Sequence, residues 1–348
     1  MHYCTLHHGW GRSKNRMITT SLFKPAWWLP NGHLQTLWSS LKSRAYEVEK
    51  KREKIATPDG DFLHLDWSGS GHGPIVLILH GLAGSSDSNY IIGLQCAINN
   101  FGWRSVAINF RGCSGTPNLT TRGYHSGETE DIALVYNLIK QREPDTPLMA
   151  VGFSLGANVL LKWLGQTRQV DLIAAVAVSV PFLLGRCADR MDTGFSRIYQ
   201  HKLISELKTY LHNKIENFQS LAMHDKAEYL EQLADLNSIN NFWLFDHHIT
   251  APLHGFASGK DYYHRSSCRQ YLSSIDRPTL IIQAKDDPFM TPDVIPSEEE
   301  LSPSVTLELS QQGGHVGFVQ GHNPFQPKYW LDIRITQWLK QTTALQVL

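Results

Sequence analysis

The sequence predicts an α/β fold in which helices flank a mostly parallel sheet of eight strands. From residue 74 onward, short apolar segments alternate with amphipathic segments of helical period, which is the pattern of strand–helix–strand units. The segment Ile75–Leu79 is apolar throughout, as in a strand that is covered on both faces. A Gly-x-Ser-x-Gly motif at 152–156 follows another apolar segment and precedes a helical one, as where a strand turns sharply into a helix.

The predicted strands and helices follow one another in a regular order along the chain. The first two strands are joined by Pro58-Asp59-Gly60, whose residue types favour a tight turn, so we expect a hairpin. The strands are predicted at 46–56, 62–67, 75–79, 104–109, 148–153, 172–180, 278–284 and 304–309, and the helices at 88–100, 128–141, from Ser154 onward, and at 328–340.

The alternation of strands and helices stops after Pro181, which predicts a helical insertion. Apolar residues at helical spacing are most simply packing faces, although the position of the insertion also fits a lid over the catalytic serine. We therefore predict a core at 23–180 and 261–348, a helical cap or lid at 181–260, and an N-terminal extension at 1–22. The two stripes are Leu203, Leu207, Leu211, Ile215 and Phe218, then Tyr229, Leu230, Leu233 and Leu236.

Charge and hydropathy exclude several classes of function. Lys and Arg together number 32, as do Asp and Glu, so no global charge attracts nucleic acid or an anionic membrane. The longest apolar segment, 172–180, is shorter than the about 18–20 residues that span a bilayer. Because the N-terminus also lacks the apolar core of a signal peptide, we expect a soluble, cytoplasmic protein. A monomer and a homodimer are both compatible with the sequence. Residues before Met17 are unlike a folded segment, and Met17 is the expected natural start.

An aromatic segment at 23–38, punctuated by Pro and Gly, precedes the hairpin. We predict that it wraps over the core with Trp27, Trp28 and Trp38 as anchors. Peripheral contact with a membrane surface is the alternative interpretation of the same aromatic residues.

The cysteines and histidines do not form a metal or disulfide pattern. The five cysteines are odd in number and include no Cys-x-x-Cys, which favours a reducing compartment. The 17 histidines include no His-Glu-x-x-His motif. We therefore expect no metal and no organic cofactor.

Three residue types that cooperate in nucleophilic catalysis follow predicted strands. Ser154 lies in the Gly-x-Ser-x-Gly turn, Asp286 and Asp287 follow the strand at 278–284, and His315 follows the strand at 304–309. Because the carboxyl ends of parallel strands meet at one edge of a sheet, we expect these side chains to converge. Histidine would take the serine proton, and aspartate would orient the imidazole.

Two of these assignments have competitors. Asp287 is favoured over Asp286 as the acid because Pro288 biases it toward an extended backbone. His315 is favoured over His322, since the glycines at 313–314 allow its backbone to approach closely.

The oxyanion hole is expected to use two backbone N–H groups. Leu155 follows the nucleophile, and Leu82 lies in the His-Gly loop after the strand at 75–79. His80 is expected to brace that loop rather than to react. The other candidates for lining the pocket are Gly81, Arg111, Cys113 and Phe153.

Seven motifs occur in an order that resembles the YheT-like branch of the α/β-hydrolases, a bacterial group related to eukaryotic membrane-anchored lipases. They are NGHLQT, HGLAG, NFRGCSG, YHSGETED, GFSLGAN, DDPF and GGHVGF, and the resemblance extends from about residue 23 to residue 338. It implies the α/β-hydrolase fold and a hydrolase of carboxylic esters, with Ser154 as nucleophile, Asp287 as acid and His315 as base.

The chain departs from these relatives in two respects. The N-terminal membrane anchor of the eukaryotic members is not found in this sequence. The His-x-x-x-x-Asp pattern of some acyltransferase relatives is absent, because Gln320 follows His315 at that spacing and Glu130 follows His125.

The predicted function is cleavage of short- or medium-chain acyl esters, or of a lipid ester, through an acyl-serine intermediate. Acyl transfer to an alcohol acceptor and non-catalytic binding on the same fold are the alternatives. An apolar acyl group is inferred from the aromatic residues in and around the insertion, which are Phe182, Phe195, Tyr199, Phe242, Trp243, Phe245 and Phe256.

Overall fold

A nine-stranded sheet forms the centre of the computed structural model, which describes residues 17–41, 47–168 and 170–346. The strand order is β1-β9-β8-β7-β6-β4-β5-β3-β2, in which β3 pairs antiparallel with both β2 and β5, and the other neighbours are parallel. The strands are β1 Ile18–Thr20, β2 Lys51–Ala56, β3 Phe62–Ser68, β4 Ile75–Leu79, β5 Arg104–Asn109, β6 Leu148–Phe153, β7 Ala174–Val178, β8 Thr279–Ala284 and β9 Val305–Ser310.

The sheet has one strand more than the eight predicted. The additional strand is β1, whose three residues pair in parallel with Leu307, Glu308 and Leu309 of β9. The sheet therefore begins before residue 23, within the segment predicted as an N-terminal extension. Tyr46, the predicted start of the strand observed as β2, lies outside the described residues. Residues 1–16 also lie outside them, so the natural start at Met17 stays a prediction.

Helices cover both faces of the sheet. In β4, Leu77 packs on one face with the helices at 130–142 and 155–166, and Ile78 packs on the other face with the helices at 89–99 and 330–346, as the two-residue period of a strand requires. β4, β6, β7 and β8 are buried along their whole length, which explains the uninterrupted apolar sequences of β4, β6 and β7. The helices of these layers are α2 Asn89–Asn99, α3 Glu130–Arg142, α4 Leu155–Gln166 and α11 Trp330–Gln346.

The chain between β7 and β8 contains helices and no strand. Leu207, Leu211 and Phe218, in the helix at 196–220, pack with Leu230 in the helix at 224–232. Tyr229, from the predicted second stripe, is 43% exposed. The division of the chain into a core at 23–180 and 261–348 and a cap at 181–260 stays a prediction. The helices of this region are α5 Leu184–Met191, α6 Ser196–Ser220, α7 His224–Gln232, α8 Phe242–Phe245, α9 Ala251–Leu253 and α10 Gly259–Ser266.

The aromatic segment near the N-terminus is only partly packed. Trp28 and Trp38 meet edge to face with ring centroids 4.6 Å apart, in a cluster with Tyr329. Trp27 is 72% exposed and donates a hydrogen bond from Nε1 to the His322 carbonyl, so its prediction as a core anchor is wrong. The segment leads into α1 Gly32–Leu41, and a small hairpin, β10 Val319–Gln320 with β11 Lys328–Tyr329, lies beside it.

Within the described residues, no helix combines the length and the apolar composition that crossing a lipid bilayer demands. The free cysteines among them are Cys96, Cys113, Cys187 and Cys268, and Cys4 lies outside.

Candidate active site

Ser154 occupies the sharp turn between β6 and α4. Its backbone has φ 52° and ψ −118°, a conformation that costs a non-glycine residue about 1–3 kcal/mol. The turn requires both glycines of the motif, because a Cβ at Gly152 would lie 2.5 Å from the Gly156 carbonyl oxygen. A Cβ at Gly156 would lie 2.5 Å from the His80 carbonyl oxygen. The Ser154 N–H donates to the Val178 carbonyl at 2.9 Å, which fixes the turn against β7.

The three residues predicted to converge form one hydrogen-bonded line. His315 Nε2 lies 2.8 Å from Ser154 Oγ, and His315 Nδ1 lies 2.8 Å from Asp287 Oδ2. Asp287 is 3% exposed, and its Oδ1 accepts a hydrogen bond from the Phe289 N–H at 2.9 Å. The Phe289 ring stacks on the imidazole with centroids 4.1 Å apart. The line has the connectivity of a nucleophile, a base and an orienting acid.

The loop that bears His315 is held at three successive backbone N–H groups. Gly314 donates to Asp286 Oδ1 at 2.9 Å, His315 donates to Thr36 Oγ1 at 2.8 Å, and Val316 donates to Ser179 Oγ at 3.0 Å. Asp286 therefore contacts the loop backbone, whereas Asp287 contacts the imidazole. The supporting role of Thr36 was not predicted, although the NGHLQT motif that contains it was noted.

Helix α1 packs closely against the same loop. A Cβ at Gly32 would lie 2.0 Å from the Asp286 carbonyl oxygen, and one at Gly314 would lie 2.3 Å from the Gly32 carbonyl oxygen. Gln35 binds both backbone groups of Val319, with its amide N–H donating to the carbonyl and its oxygen accepting from the N–H. These contacts give the NGHLQT motif a physical function, which is to fix the position of the histidine loop.

The two N–H groups predicted for the oxyanion hole are free. Among the described residues, the N–H groups of Leu82 and Leu155 have no hydrogen-bond partner. The groups on either side of Leu82 are bound by tyrosine hydroxyls: Gly81 donates to Tyr90 at 2.8 Å, and Ala83 donates to Tyr124 at 3.0 Å. The free N–H of Leu82 is thus held between two anchored peptide groups.

A cavity of about 130 Å³ adjoins Ser154 and His315. Leu82 and Leu155 line its catalytic end, in agreement with their proximity to the nucleophile. Much of the remaining wall is apolar and comes from the helices between β7 and β8. The apolar side chains include Leu184, Ala188, Met191, Leu203, Leu207 and Phe242.

The aromatic residues predicted to surround the substrate have different locations. Phe242 and Phe245 line the cavity. Phe182 is fully buried in the core, and Phe195 is 49% exposed. Tyr199, Trp243 and Phe256 also lie outside the lining, so only two of the seven predicted residues contribute to it. The other aromatic rings of the cavity wall were not predicted, and they belong to Tyr124, Tyr262, Tyr263 and Phe289.

Three predicted pocket residues lie behind the cavity rather than in its lining. His80 is buried, accepts from the Phe110 N–H at Nε2, and lies 2.7 Å from the Gly81 carbonyl through Nδ1. Burial lowers the pKa of His80 to about 4, so it is a neutral brace, as predicted. Gly81 lies under the nucleophile, and Phe153 packs in the core beneath the sheet edge.

Arg111 and Cys113 also lie away from the catalytic cavity. The Arg111 guanidinium is buried and donates to Asp131 and Asp59, with Asp61 at 3.2 Å. Cys113 borders a separate cavity beside α6, and burial raises the pKa of its thiol to about 12. Both follow β5, which is separated from β6 by β4, so the loop after β5 points toward α6 instead of Ser154.

His322, the competitor of His315, is exposed in the loop between β10 and β11. Its carbonyl accepts from Trp27, and it forms no contact with the nucleophile in the described structure.

His125, Glu128 and His254 have potential metal-ligand atoms within 4.8 Å of one another. The His125 Nδ1 accepts a hydrogen bond from the Gly127 N–H, so the neutral ring carries its proton on Nε2, the atom that faces Glu128. Glu128 is already paired with Arg122. Burial, followed by the charges of Arg122, Lys162 and Arg265, lowers the pKa of His125 to about 3. The donor set and the surrounding cations therefore fit a metal ion poorly.

The chain is similar to known proteins over most of its length. A family model described as alpha/beta hydrolase fold matches residues 74–322. The chain is 40% identical over 337 residues to the Escherichia coli (strain K12) protein named "Putative esterase YheT", covering 95% of this chain and 96% of that protein. It is 30% identical over 328 residues to Phospholipase ABHD3 of Mus musculus, covering 90% and 77%.

Solved structures share the fold at low sequence identity. The Pyrococcus furiosus esterase Pf2001 has a TM-score of 0.51 and 17% identity, with 85% of this chain and 90% of that chain covered. Est1E from Butyrivibrio proteoclasticus has a TM-score of 0.51 and 14% identity, with coverage of 85% and 99%. Taken together with the family match and the YheT similarity, these findings identify the chain as a YheT-like member of the alpha/beta hydrolase fold family.

Proposed function

We propose that this protein is a serine hydrolase that cleaves carboxylic esters through an acyl-serine intermediate. The single observation that supports this most strongly is the unbroken hydrogen-bonded line from Asp287 through His315 to Ser154 at the end of a mostly apolar cavity. A serine hydroxyl in this arrangement has a base to take its proton and an acid to stabilise the imidazolium that forms.

In the first half of the reaction, His315 Nε2 takes the proton as Ser154 Oγ attacks the ester carbonyl carbon. Asp287 keeps the Nδ1 proton of the imidazole in place and stabilises its positive charge. Collapse of the tetrahedral intermediate breaks the carbon–oxygen bond, and His315 protonates the departing alcohol. In the second half, His315 removes a proton from water as the water oxygen attacks the acyl-serine carbonyl carbon. The bond to Ser154 Oγ then breaks, His315 returns the proton to that oxygen, and the carboxylic acid is released.

The negative charge of the tetrahedral intermediate would be stabilised by the N–H groups of Leu82 and Leu155. Both are free in the described structure, and Leu155 also begins helix α4, whose N-terminus favours negative charge. One such donor contributes on the order of 10²–10³ in rate.

The cavity walls support an ester with an apolar acyl group, of short or medium length or from a lipid. Leu184, Met191 and Leu207 offer apolar contacts close to the nucleophile. Relatives named as a phospholipase and as a monoacylglycerol lipase support the same class of substrate.

We expect a fluorophosphonate probe to label the protein on Ser154, as measured by intact-protein and peptide mass spectrometry. The same preparation should hydrolyse p-nitrophenyl esters, and a series from acetate through butyrate and octanoate to palmitate will give the preferred acyl length. A folded protein that neither reacts with the probe nor hydrolyses any ester would be a non-catalytic binding protein, and the proposal would be wrong. Acyl transfer would instead give a new ester when an alcohol acceptor is added.

Replacing Tyr124 with phenylalanine should lower kcat by about 10–100-fold while changing KM less. The substitution keeps the ring but removes the hydroxyl that accepts from the Ala83 N–H, so the Leu82 peptide loses one of its two anchors. Steady-state kinetics with p-nitrophenyl butyrate would measure both constants. Tyr124 is a positioning residue, since its hydroxyl affects the reaction by orienting the Leu82 N–H.

Tyr136 offers a matched control for this substitution. Its hydroxyl accepts from the Asp171 N–H at 2.8 Å, which is the same kind of bond at a distance from the cavity. Tyr136→Phe should retain normal kcat. Equal losses in the two variants would mean that the tyrosine hydroxyl matters only for stability.

A further inference from the structure

A group of hydrogen-bonding side chains lies on one wall of the otherwise largely apolar catalytic cavity. Asp246, Thr250, Tyr262 and Tyr263 line the same cavity as Ser154. We refer to these four residues as the polar wall. They come from the turn after α8 and from α10, and the mechanism proposed above uses none of them.

Asp246 is the central member of the polar wall. Its Oδ1 accepts from the Thr250 hydroxyl at 2.6 Å, and its Oδ2 accepts from the Tyr263 hydroxyl at 2.6 Å. These two donors fix the orientation of the carboxylate. A carboxylate can accept about four hydrogen bonds, so two neutral donors leave it with unused acceptor capacity.

The environment of Asp246 is unfavourable for a negative charge unless another group complements it. Among the described residues, no basic side chain forms an ion pair with its carboxylate. Burial raises its pKa to about 6, against the effect of the hydrogen bonds from Thr250 and Tyr263. A carboxyl group that is partly withdrawn from water and has no cationic partner costs folding free energy, and such groups concentrate at functional sites.

The local backbone also favours a functional interpretation. Asp246–Thr250 is a single π-helical turn directly after α8, and such turns occur frequently at functional sites. The turn orients the Thr250 hydroxyl toward the carboxylate, where it holds Asp246 at the cavity wall. Asp246 keeps part of its surface accessible, so a ligand in the cavity can reach it.

We propose that Asp246, held by Thr250 and Tyr263, accepts a hydrogen bond from a hydroxyl group of the ester, so that hydroxyl-bearing esters are the preferred substrates. This inference rests on the proposed ester hydrolysis. A neutral hydroxyl suits the site because the groups that Asp246 already binds are hydroxyls, and because the surrounding apolar wall disfavours a charged ligand. The hydroxyl can belong to the alcohol part or to the acyl part of the ester.

The test compares esters that differ by hydroxyl groups. Glyceryl monobutyrate against propyl butyrate places the hydroxyls on the alcohol, and ethyl β-hydroxybutyrate against ethyl butyrate places one on the acyl group. For one of these pairs, the wild-type protein should favour the hydroxylated ester by about 10–100-fold in kcat/KM, the range expected for a hydrogen bond to a charged acceptor. In Asp246→Leu, this ratio should fall to near one. In Asp246→Asn, which keeps a neutral acceptor but loses the charge, the ratio should fall to a value between one and that of the wild type.

The ratio of two kcat/KM values cancels any general loss of active enzyme, so partial misfolding of a variant does not imitate the effect. Asp246→Asn keeps the shape of the side chain if Asp246→Leu does not fold. Asp235→Asn is the matched control, since Asp235 is exposed in the same helical region, and it should keep the wild-type ratio.

Three results would overturn the inference. The first is an absence of preference for either hydroxylated ester in the wild-type protein, and the second is an unchanged ratio in the Asp246 variants. The third is a loss of activity in the Asp246 variants that is confined to butyrylcholine, which would mean that Asp246 binds a cation. In each case, the protein would still be labelled by a fluorophosphonate and would still hydrolyse propyl butyrate. Failure of this inference is therefore distinguishable from failure of the proposed function.

Discussion

Replacing Ser154 with alanine is expected to lower kcat for ester hydrolysis by a factor on the order of 10⁶ and to abolish labelling by a fluorophosphonate. The reason is that Ser154 Oγ is the group from which His315 would take a proton, at 2.8 Å. Without that oxygen, no acyl-enzyme forms. The residual rate would come from the free N–H groups of Leu82 and Leu155 and from substrate binding.

The fold should survive this substitution. The Ser154 side chain makes no capping hydrogen bond to α4, and its backbone N–H still donates to Val178 in the variant. We expect the loss of stability to be about 1 kcal/mol or less, which thermal unfolding would measure. Ser220→Ala, at the exposed end of α6, is the control and should remain fully active. Ester turnover by Ser154→Ala at the wild-type rate would contradict the serine mechanism.

The sequence predicted most of the sheet and the convergence of the reactive side chains for a simple topological reason. Ser154, Asp287 and His315 follow β6, β8 and β9, and parallel strands in one sheet end at one edge. Gly152 and Gly156 also indicated the sharp turn at Ser154, because the turn leaves no room for a Cβ at either position. Features that depend on strand order or on local backbone geometry can therefore be predicted from the sequence.

The walls of the cavity could not be predicted in the same way. Arg111 follows β5, which is separated from β6 by β4, and its side chain forms ion pairs with three aspartates instead of lining the cavity. The actual wall comes from helices between β7 and β8, whose positions depend on packing between distant segments. Thr36 illustrates the same limit, since it lies 279 positions before the histidine that it supports.

Replacing Asp287 with asparagine is expected to lower kcat by a factor on the order of 10⁴ with a smaller change in KM. An asparagine amide would donate a hydrogen bond to Nδ1 of His315, which leaves the ring proton on Nε2. That tautomer faces Ser154 Oγ with an N–H group and cannot take its proton. The kcat from steady-state kinetics and the rate of fluorophosphonate labelling should decrease together, because both reactions require an activated Ser154 hydroxyl.

Asp286→Asn provides the matched comparison, because it makes the same chemical change one residue earlier. Asp286 accepts from the Gly314 N–H through Oδ1, an interaction that an asparagine oxygen can keep, and its Oδ2 has no partner. Burial raises the pKa of Asp286, so removing its charge should disturb the site little. We therefore expect a loss of less than about 10-fold. A larger loss in Asp286→Asn than in Asp287→Asn would mean that Asp286 orients His315 during turnover and that the roles of the two carboxylates are reversed.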